Sequence, residues 1–340
     1  MTPLSGFRFA AANGIMSGMA SNSMTVGPFP EGMDNRVPDF SMSLPNGAGH
    51  LLRDALNVDV TERGTVKTRK GYTLSLPWQD CHSLWAPIDG AYGLFCSDGS
   101  VRRMDVGADG STSATQVATG FGRVTFVRYA QVNEAVYFTD GLRVGSYHPV
   151  NGPTPEWATA ASVNVGEQLL SPMPPGSCIA HHNGRLLVAV GNVLVYSEPF
   201  TPHLRDESRG YEMFPAPITC IAAVEGGVFV VAKQTYWIAG GFPASSVRAV
   251  LSYGAPEQQA GYRPDGGAHW MSQRGIVSCT ASGELQNLQE RNVALIAEGG
   301  AATLWREADG MASIVAALSS PSGTGAGIGS YAQARIVKKE

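Results

Sequence analysis

The sequence lacks the features by which membrane proteins and secreted proteins are recognised. No stretch approaches the ~18 consecutive apolar residues that a membrane-spanning helix needs. Charged residues make up only 15% of the 340 residues, against about 25% in a typical soluble domain. The early apolar stretch Ala10 to Met19 is interrupted by asparagine, serine and glycine, which is atypical of a signal peptide. We therefore expect a soluble product made in the cytoplasm, with no membrane-spanning segment.

Clustered positive charge is also missing. The formal net charge is -4, whereas proteins that bind nucleic acid tightly present grouped lysine and arginine to the phosphates. One basic group stands out, formed by Arg63, Lys67, Arg69 and Lys70. Such residues are common on strand edges, where they discourage pairing between molecules. The charge pattern argues against a strongly basic surface for binding nucleic acid.

Metal-binding patterns are absent. The five cysteines are Cys81, Cys96, Cys178, Cys220 and Cys279, which are widely separated and form no CxxC pair. We interpret them as small buried hydrophobic residues in a reducing compartment. The neighbouring His181 and His182 would point to opposite faces of a strand, so they cannot easily hold one metal. No metal ligand and no cofactor is predicted.

Motifs of catalysis are missing as well. The sequence contains no GxSxG, HExxH or GxxxxGK[ST], and the glycine-rich run 323–329 has the wrong spacing for a dinucleotide loop. A pair of carboxylates could hydrolyse glycosides, and the candidates are Glu62, Asp80, Asp89, Asp98, Asp105 and Asp140. Three of these, Asp89, Asp98 and Asp140, precede a glycine, where aspartate is typical of a tight turn. We assign no catalytic residue and expect a protein that is not an enzyme.

Turn-forming residues are abundant, with 41 glycines and 21 prolines. Residues 1–48 are rich in glycine, serine, methionine and proline and show no helical or strand periodicity, which predicts an extended N-terminal arm. Alternation begins in 52–60 and continues after a turn in 65–69, a pattern typical of a β-hairpin. The domain 49–340 follows this arm.

A repeat dominates that domain. Short apolar strands are joined by a tight turn and followed by a second turn seven to nine residues later. The first turns of successive units lie 35 to 50 residues apart, at Gly90, Glu134, Gly184, Gly227, Gly275 and Gly310. Propeller blades have about 40 to 50 residues. We predict an all-β fold, a β-propeller of five to seven blades with six favoured, in preference to a β-sandwich.

Two segments allow more than one interpretation. The last strand, 331–337, alternates well and could pair with the 52–60 hairpin, so that N- and C-terminal strands close the ring. The segment 285–297 is loosely periodic and could be a helix, although asparagines and β-branched residues weaken it, and a strand with a long loop is an equal alternative.

A family resemblance rests on four stretches. Residues 28–36 read PFPEGMDNR, residues 52–60 read LRDALNVDV, and RKGY follows at 69–72. This start resembles that of tail nozzle and tail hub proteins of short-tailed bacteriophages. Residues 183–199, NGRLLVAVGNVLVYSEP, resemble the propeller strands of the same proteins. The resemblance covers about 28–76 and 177–200 in sequence, and the rest by architecture.

The resemblance implies a virion structural protein of the phage tail. Six copies would form a ring below the portal and its adaptor, a head–tail connector, and would line the channel through which genomic DNA is ejected without sequence-specific contacts. Other partners would be tail fibres or tailspikes. Larger members of the family carry platform and tip domains, for which 340 residues leave little room.

A rival hypothesis comes from another class of protein. Propellers also bind or cleave carbohydrates, as lectins and depolymerases do, and aromatic side chains such as Trp157, Trp237, Trp270 and Trp305 could stack on sugars. Three of these, with Trp85, lie in or beside predicted strands, which favours packing in the core.

Overall fold

The computed structural model describes residues 27–36, 38, 42–52, 58–60, 64–68, 78, 80–122, 125–291, 299–308, 311–318 and 330–335. These residues form strands and turns, with one short 3₁₀ helix at Pro45–Gly47 and no α-helix in the described ranges. Most of the predicted arm, residues 1–26, lies outside them.

The first described elements form a small unit of turns before the propeller. A two-stranded sheet consists of β1 (Val58–Val60) and β2 (Val66–Thr68). The backbone N–H of Phe29 donates to the carbonyl of Gly64 at 2.7 Å, and that of Leu52 donates to Gly32 at 2.9 Å. Phe29 and Leu52 are buried. The stretch 27–36 is therefore tied to the strands that follow it in the sequence.

Six antiparallel sheets then follow one another along the chain, and we call them blades 1 to 6. Blade 1 contains β3 (His82–Trp85), β4 (Gly93–Ser97), β5 (Ser100–Val106) and β6 (Thr112–Thr119). Blade 2 contains β7 (Arg128–Val132), β8 (Ala135–Thr139), β9 (Val144–His148) and β10 (Gly152–Thr154). A separate sheet, which we call the outer sheet, contains β11 (Val163–Val165), β12 (Gln168–Pro172) and β16 (Leu204–Asp206).

The remaining blades keep the same up-and-down order. Blade 3 contains β13 (Cys178–His182), β14 (Arg185–Val190), β15 (Val193–Tyr196) and β17 (Tyr211–Met213). Blade 4 contains β18 (Cys220–Val224), β19 (Gly227–Val231), β20 (Thr235–Ala239) and β21 (Val247–Leu251). Blade 5 contains β22 (Gly261–Tyr262), β23 (Ala268–Ser272), β24 (Gly275–Cys279) and β25 (Leu285–Asn287). Blade 6 contains β26 (Ala301–Ala308), β27 (Met311–Leu318) and β28 (Ser330–Arg335).

Apolar residues between neighbouring blades form the core. Five buried clusters join blades 1 and 2, 2 and 3, 3 and 4, 4 and 5, and 5 and 6. Every blade also contributes its first strand to one central cavity. Sheets that pack face to face in sequence around one axis constitute a β-propeller, so the predicted fold is confirmed, with six blades around the cavity.

Hairpin turns explain why the repeat is visible in the sequence. Asn183 and Gly184 both have positive φ, 47° and 74°, as a two-residue turn of the primed type requires. Asp98 and Gly99 show the same conformation, with φ of 49° and 70°. Asparagine, aspartate and glycine tolerate this geometry better than other residues. Each such turn joins two buried strands of one blade.

Two segments that the sequence left open are described in part by the structure. In the described residues β28 pairs with β27, and β1 pairs with β2, so no sheet there joins an N-terminal to a C-terminal strand. Residues 53–57 and 336–337 lie outside the described ranges, so closure of the ring between 331–337 and the 52–60 hairpin stays a prediction. Within 285–297 the structure has a strand, Leu285–Asn287, and no helix in the described residues up to 291.

Candidate functional site

The first strands of all six blades surround an axial cavity of about 630 Å³. This volume lies within the ~300–1,000 Å³ that is usual for small-molecule sites. Its aromatic wall consists of Trp85, Phe126, Tyr129, Tyr262 and Trp305. Leu84, Ile88 and Leu304 also line it and are 71%, 72% and 65% exposed. The cavity therefore opens to solvent on the side of blades 1 and 6.

One end of the axis is crossed by the segment 254–260, which we call the crossing segment. Its Gln258 backbone N–H donates to Thr219 of blade 4 at 3.0 Å, and Ala301 of blade 6 donates to its Glu257 carbonyl at 3.1 Å. The thiol of Cys178 in blade 3 lies 3.9 Å from the carbonyl of Gln258. The segment thus contacts blades that are not neighbours, as only a chain lying across the axis can.

Two glutamines hold the crossing segment. The amide of Gln258 donates to the carbonyl of Met271 at 2.6 Å and accepts from its N–H at 2.8 Å. The amide of Gln259 pairs in the same way with Tyr129, at 2.7 and 2.9 Å. Each side-chain amide pairs with the backbone N–H and carbonyl of a strand residue, as a neighbouring strand would. It can do so because a primary amide offers the same donor and acceptor as a peptide group.

Arg128 begins β7 and is the one permanently charged residue among those lining the cavity. The residue is buried, with 6% of its surface exposed, and its Nη2 lies 3.6 Å from Oε1 of Glu257. Nothing in the sequence pattern singles out Arg128 or Gln259, because their roles depend on contacts with distant parts of the chain.

The neighbouring histidines His181 and His182 lie in different surroundings. His182 is buried, and its Nε2 lies 2.5 Å from the carbonyl of Gly240. His181 lines the cavity, and burial lowers its pKa. The two side chains point to opposite faces of β13, as predicted. A third histidine, His269, has Nδ1 3.0 Å from the hydroxyl of Thr303, and burial lowers its pKa to about 4.

The carboxylates named as glycosidase candidates take part in turns and local pairs. Asp140 accepts from three backbone N–H groups, those of Gly122, Leu142 and Arg143, at 3.0, 3.0 and 2.7 Å. Asp89 accepts from Ala91 at 3.1 Å. Asp105 pairs with Arg103 on the same strand at 2.7 Å. Asp98 and Asp80 have positive φ, and Glu62 lies outside the described residues. None of the named aspartates lines the cavity.

Tryptophan packing agrees with the interpretation of the sequence for Trp237 and Trp270, but Trp85 and Trp305 line the cavity instead of lying in the buried core. Trp157, Trp237 and Trp270 are buried, and the indole of Trp157 donates to the carbonyl of Met173 at 2.9 Å. Trp85 and Trp305 are partly buried. Trp85 stacks on Tyr129 with ring centroids 5.8 Å apart. These two indoles therefore remain the ones that face the cavity.

Four of the five cysteines are buried, and none of the five forms a disulfide bond. Burial raises the pKa of Cys96 to about 11 and that of Cys178 to about 12. Cys81 is exposed, contrary to the prediction of a buried residue, because it precedes β3 at the surface. No group of three metal-ligating side chains occurs in the part of the chain that the structure describes.

The basic group and the glycine-rich run lie mostly outside the described residues. Of the basic group, Lys67 lies in β2 and is exposed, and the other three residues fall outside the described ranges. The glycine-rich run 323–329 also lies outside them. No helix in the described ranges has the length and apolarity that crossing a bilayer requires.

Comparisons with known proteins found matches among solved structures only. No protein-family model and no curated protein matches the chain. Solved structures that match include a computationally designed protein, Ika8, with a TM-score of 0.44, 9% identity, and coverage of 72% of this chain and 83% of that one. Hsv2 of Kluyveromyces marxianus matches with a TM-score of 0.40, 12% identity, and coverage of 69% and 74%.

A third structure is the extracellular domain of a putative hybrid two-component system of B. thetaiotaomicron, with a TM-score of 0.40 and 12% identity. The match covers 65% of this chain and 30% of that longer one. At these levels of identity and overlap the comparisons assign no family, and the propeller architecture rests on the strand order and the shared cavity described above.

Proposed function

We propose that this chain is a structural protein of a bacteriophage tail, a nozzle or hub that assembles into a ring of about six copies below the head–tail connector. The proposal starts from the resemblance of residues 28–76 and 177–200 to such proteins. Two described parts of these stretches have structural roles. Phe29 and Leu52 are buried in the unit before the propeller, and 183–196 supplies a hairpin of blade 3.

The outer sheet is the observation that carries the assembly. Val163 and Val165 share one face of β11, and Leu169 lies on the opposite face of the paired strand β12. The three side chains are 46%, 56% and 48% exposed. A thin sheet with apolar side chains on both faces is unusual on the surface of a monomer, and such surfaces mark contacts between proteins. We infer that a second copy covers it.

The crossing segment bears on the path that DNA would take in the proposed ring. It lies over the axis of the propeller, held by Gln258 and Gln259. DNA therefore has no path through the centre of one propeller, and the channel would run between the copies of the ring. The modest negative charge of the chain suits such a passage, because a cationic wall would retain the phosphates.

The functional alternative of a carbohydrate-active propeller has less support. The glycosidase candidates Asp89 and Asp140 are occupied by backbone N–H groups of their own turns. Buried tryptophans such as Trp237 and Trp270 present no open stacking surface. The remaining place for a ligand among the described residues is the axial cavity.

Particle imaging and mass photometry of the purified chain test the proposal. We expect a six-fold ring with an open channel between subunits. Val165→Glu, which places a charge on the outer sheet, should dissociate the ring. Leu304→Glu is the matched control, since it introduces the same charge at an exposed apolar residue of the cavity mouth. A monomer at all concentrations, or cleavage of glycans by the pure chain, would overturn the proposal.

A further inference from the structure

The surroundings of Arg128 leave its charge without adequate partners. The residue is 6% exposed and lines the axial cavity. Its guanidinium makes no hydrogen bond to any described residue, and its Nε is fully buried without an acceptor. The carboxylate of Glu257 is 3.6 Å away, which is beyond hydrogen-bond distance, and that side chain is 55% exposed.

A buried guanidinium in this state is costly. The group carries five N–H donors and remains charged at all ordinary pH values. Burying Nε without an acceptor loses hydration that one distant and solvated carboxylate does not replace. The ring of Phe126, 5.1 Å from Cζ, contributes a cation–π contact but no acceptor. The donors of Arg128 are therefore available to an anion in the cavity.

The other residues of the cavity define what kind of anion fits. No second permanent charge lines it, and its walls are aromatic and aliphatic, including Trp85, Ile179, Ile221 and Trp305. A single planar guanidinium matches a carboxylate through two parallel hydrogen bonds. A phosphate dianion would require further cations for its second charge. An apolar body would bury itself against the walls.

We propose that the axial cavity binds a small organic carboxylate, with its charged group on Arg128 and its aromatic or aliphatic body against Trp85 and Phe126. The ligand enters between blades 1 and 6, where Leu84 and Ile88 are exposed at the edge of the cavity. Glu257 acts as an internal competitor for the same guanidinium. This site belongs to one propeller, so it does not depend on the ring proposed above.

Titration of the purified chain with 2-naphthoate, followed by naphthoate fluorescence and calorimetry, tests this site. The matched ligand is 2-naphthamide, which has the same body without the charge. We expect the carboxylate to bind about tenfold more tightly than the amide or better, as a charge-assisted pair implies. Arg128→Met should remove this preference, and Arg128→Lys should restore part of it.

Glu257→Gln provides a second test that leaves Arg128 in place. Its side chain is largely exposed, so the variant should fold, and removal of the competing charge should tighten naphthoate binding several-fold without changing naphthamide binding. This variant decides the matter if Arg128→Met does not fold. Equal binding of the two ligands, no binding of either, or unchanged naphthoate affinity in Glu257→Gln would overturn the proposal.

Discussion

The side chain of Gln259 pairs with the backbone of Tyr129 as if the two belonged to neighbouring strands, although 130 positions separate them. Gln259 accepts from the Tyr129 N–H at 2.9 Å and donates to its carbonyl at 2.7 Å. Tyr129 lies in the first strand of blade 2 and is 2% exposed. A single amide thereby fastens the crossing segment to the opposite side of the ring.

Replacing this amide should destabilise the propeller. Gln259→Ala leaves the N–H and carbonyl of Tyr129 without partners, and we expect a loss of about 1–3 kcal/mol in the free energy of unfolding. Chemical denaturation measures the loss, and hydrogen exchange should show faster exchange of the Tyr129 amide. Gln116→Ala on the outer strand of blade 1 is the control. Equal stabilities of the two variants would contradict the role of Gln259.

The crossing segment also requires a glycine where it passes blade 4. A Cβ on Gly254 would lie 1.9 Å from the carbonyl oxygen of Ala232, so Gly254→Ala should cost about 3 kcal/mol or more, because backbone must move. At Gly241 the nearest atom to a Cβ is 3.8 Å away. Gly241→Ala should therefore change stability by less than about 0.5 kcal/mol. A tolerated Gly254→Ala would show that the segment is not held against blade 4.

Asp140 should stabilise the fold through the hydrogen bonds that its carboxylate accepts from backbone N–H groups. Asp140→Ala removes the acceptor of three backbone N–H groups, and we expect a loss of about 2 kcal/mol or more in the free energy of unfolding. Asp140→Asn should retain part of this stability, because the amide oxygen still accepts. Asp89→Ala removes a single bond in an exposed turn and should cost below about 0.5 kcal/mol. Similar losses in both alanine variants would be inconsistent with this account.

The acid stability of the fold should depend on Asp206 in β16. Hydrogen bonds from the Ser208 hydroxyl and backbone, Gln168 and Arg209 lower the pKa of this carboxyl to about 2, from 3.8. A lowered pKa in the folded state means that the ionised form stabilises the fold. The contribution is complete above about pH 4 and is lost as the pH falls towards about 2.

The melting temperatures of the wild type and Asp206→Asn should therefore differ at neutral pH and converge as the solution is acidified below about pH 4. The neighbouring Glu207→Gln is the control, since Glu207 makes one solvent-exposed ion pair with Arg205 at 3.4 Å. Its difference from the wild type should be small throughout. A constant gap for Asp206→Asn down to the lowest pH would refute this assignment.

Thiol labelling distinguishes the exposed cysteine from the buried ones. Cys81 is exposed, while burial raises the pKa of Cys96, Cys178, Cys220 and Cys279. Iodoacetamide at mildly alkaline pH should add one group to the native chain and five after unfolding, as read from the intact mass. Cys81→Ser should give no adduct in the native state. Two or more native adducts would show that a blade opens.

Local pattern in the sequence was enough to predict the blades. Pairs such as Asn183-Gly184 favour a tight turn because both residues tolerate positive φ. The short apolar runs on either side of such a turn predict buried strands. Repeating this unit at nearly constant spacing leaves sheets that need neighbours on both faces, which a propeller supplies. The turn roles of Asp98 and Asp140 followed from the same local chemistry.

Only the tertiary structure revealed the crossing segment and the surroundings of Arg128. Gln259 meets Tyr129 and Arg128 meets Glu257 because the ring brings together residues that are 130 and 129 positions apart. No periodicity in the sequence encodes such pairs, since each depends on the position of a whole blade rather than on its neighbours in the chain. The sequence thus determined the repeating unit by itself, and the arrangement of the units in a ring decided what lies at its centre.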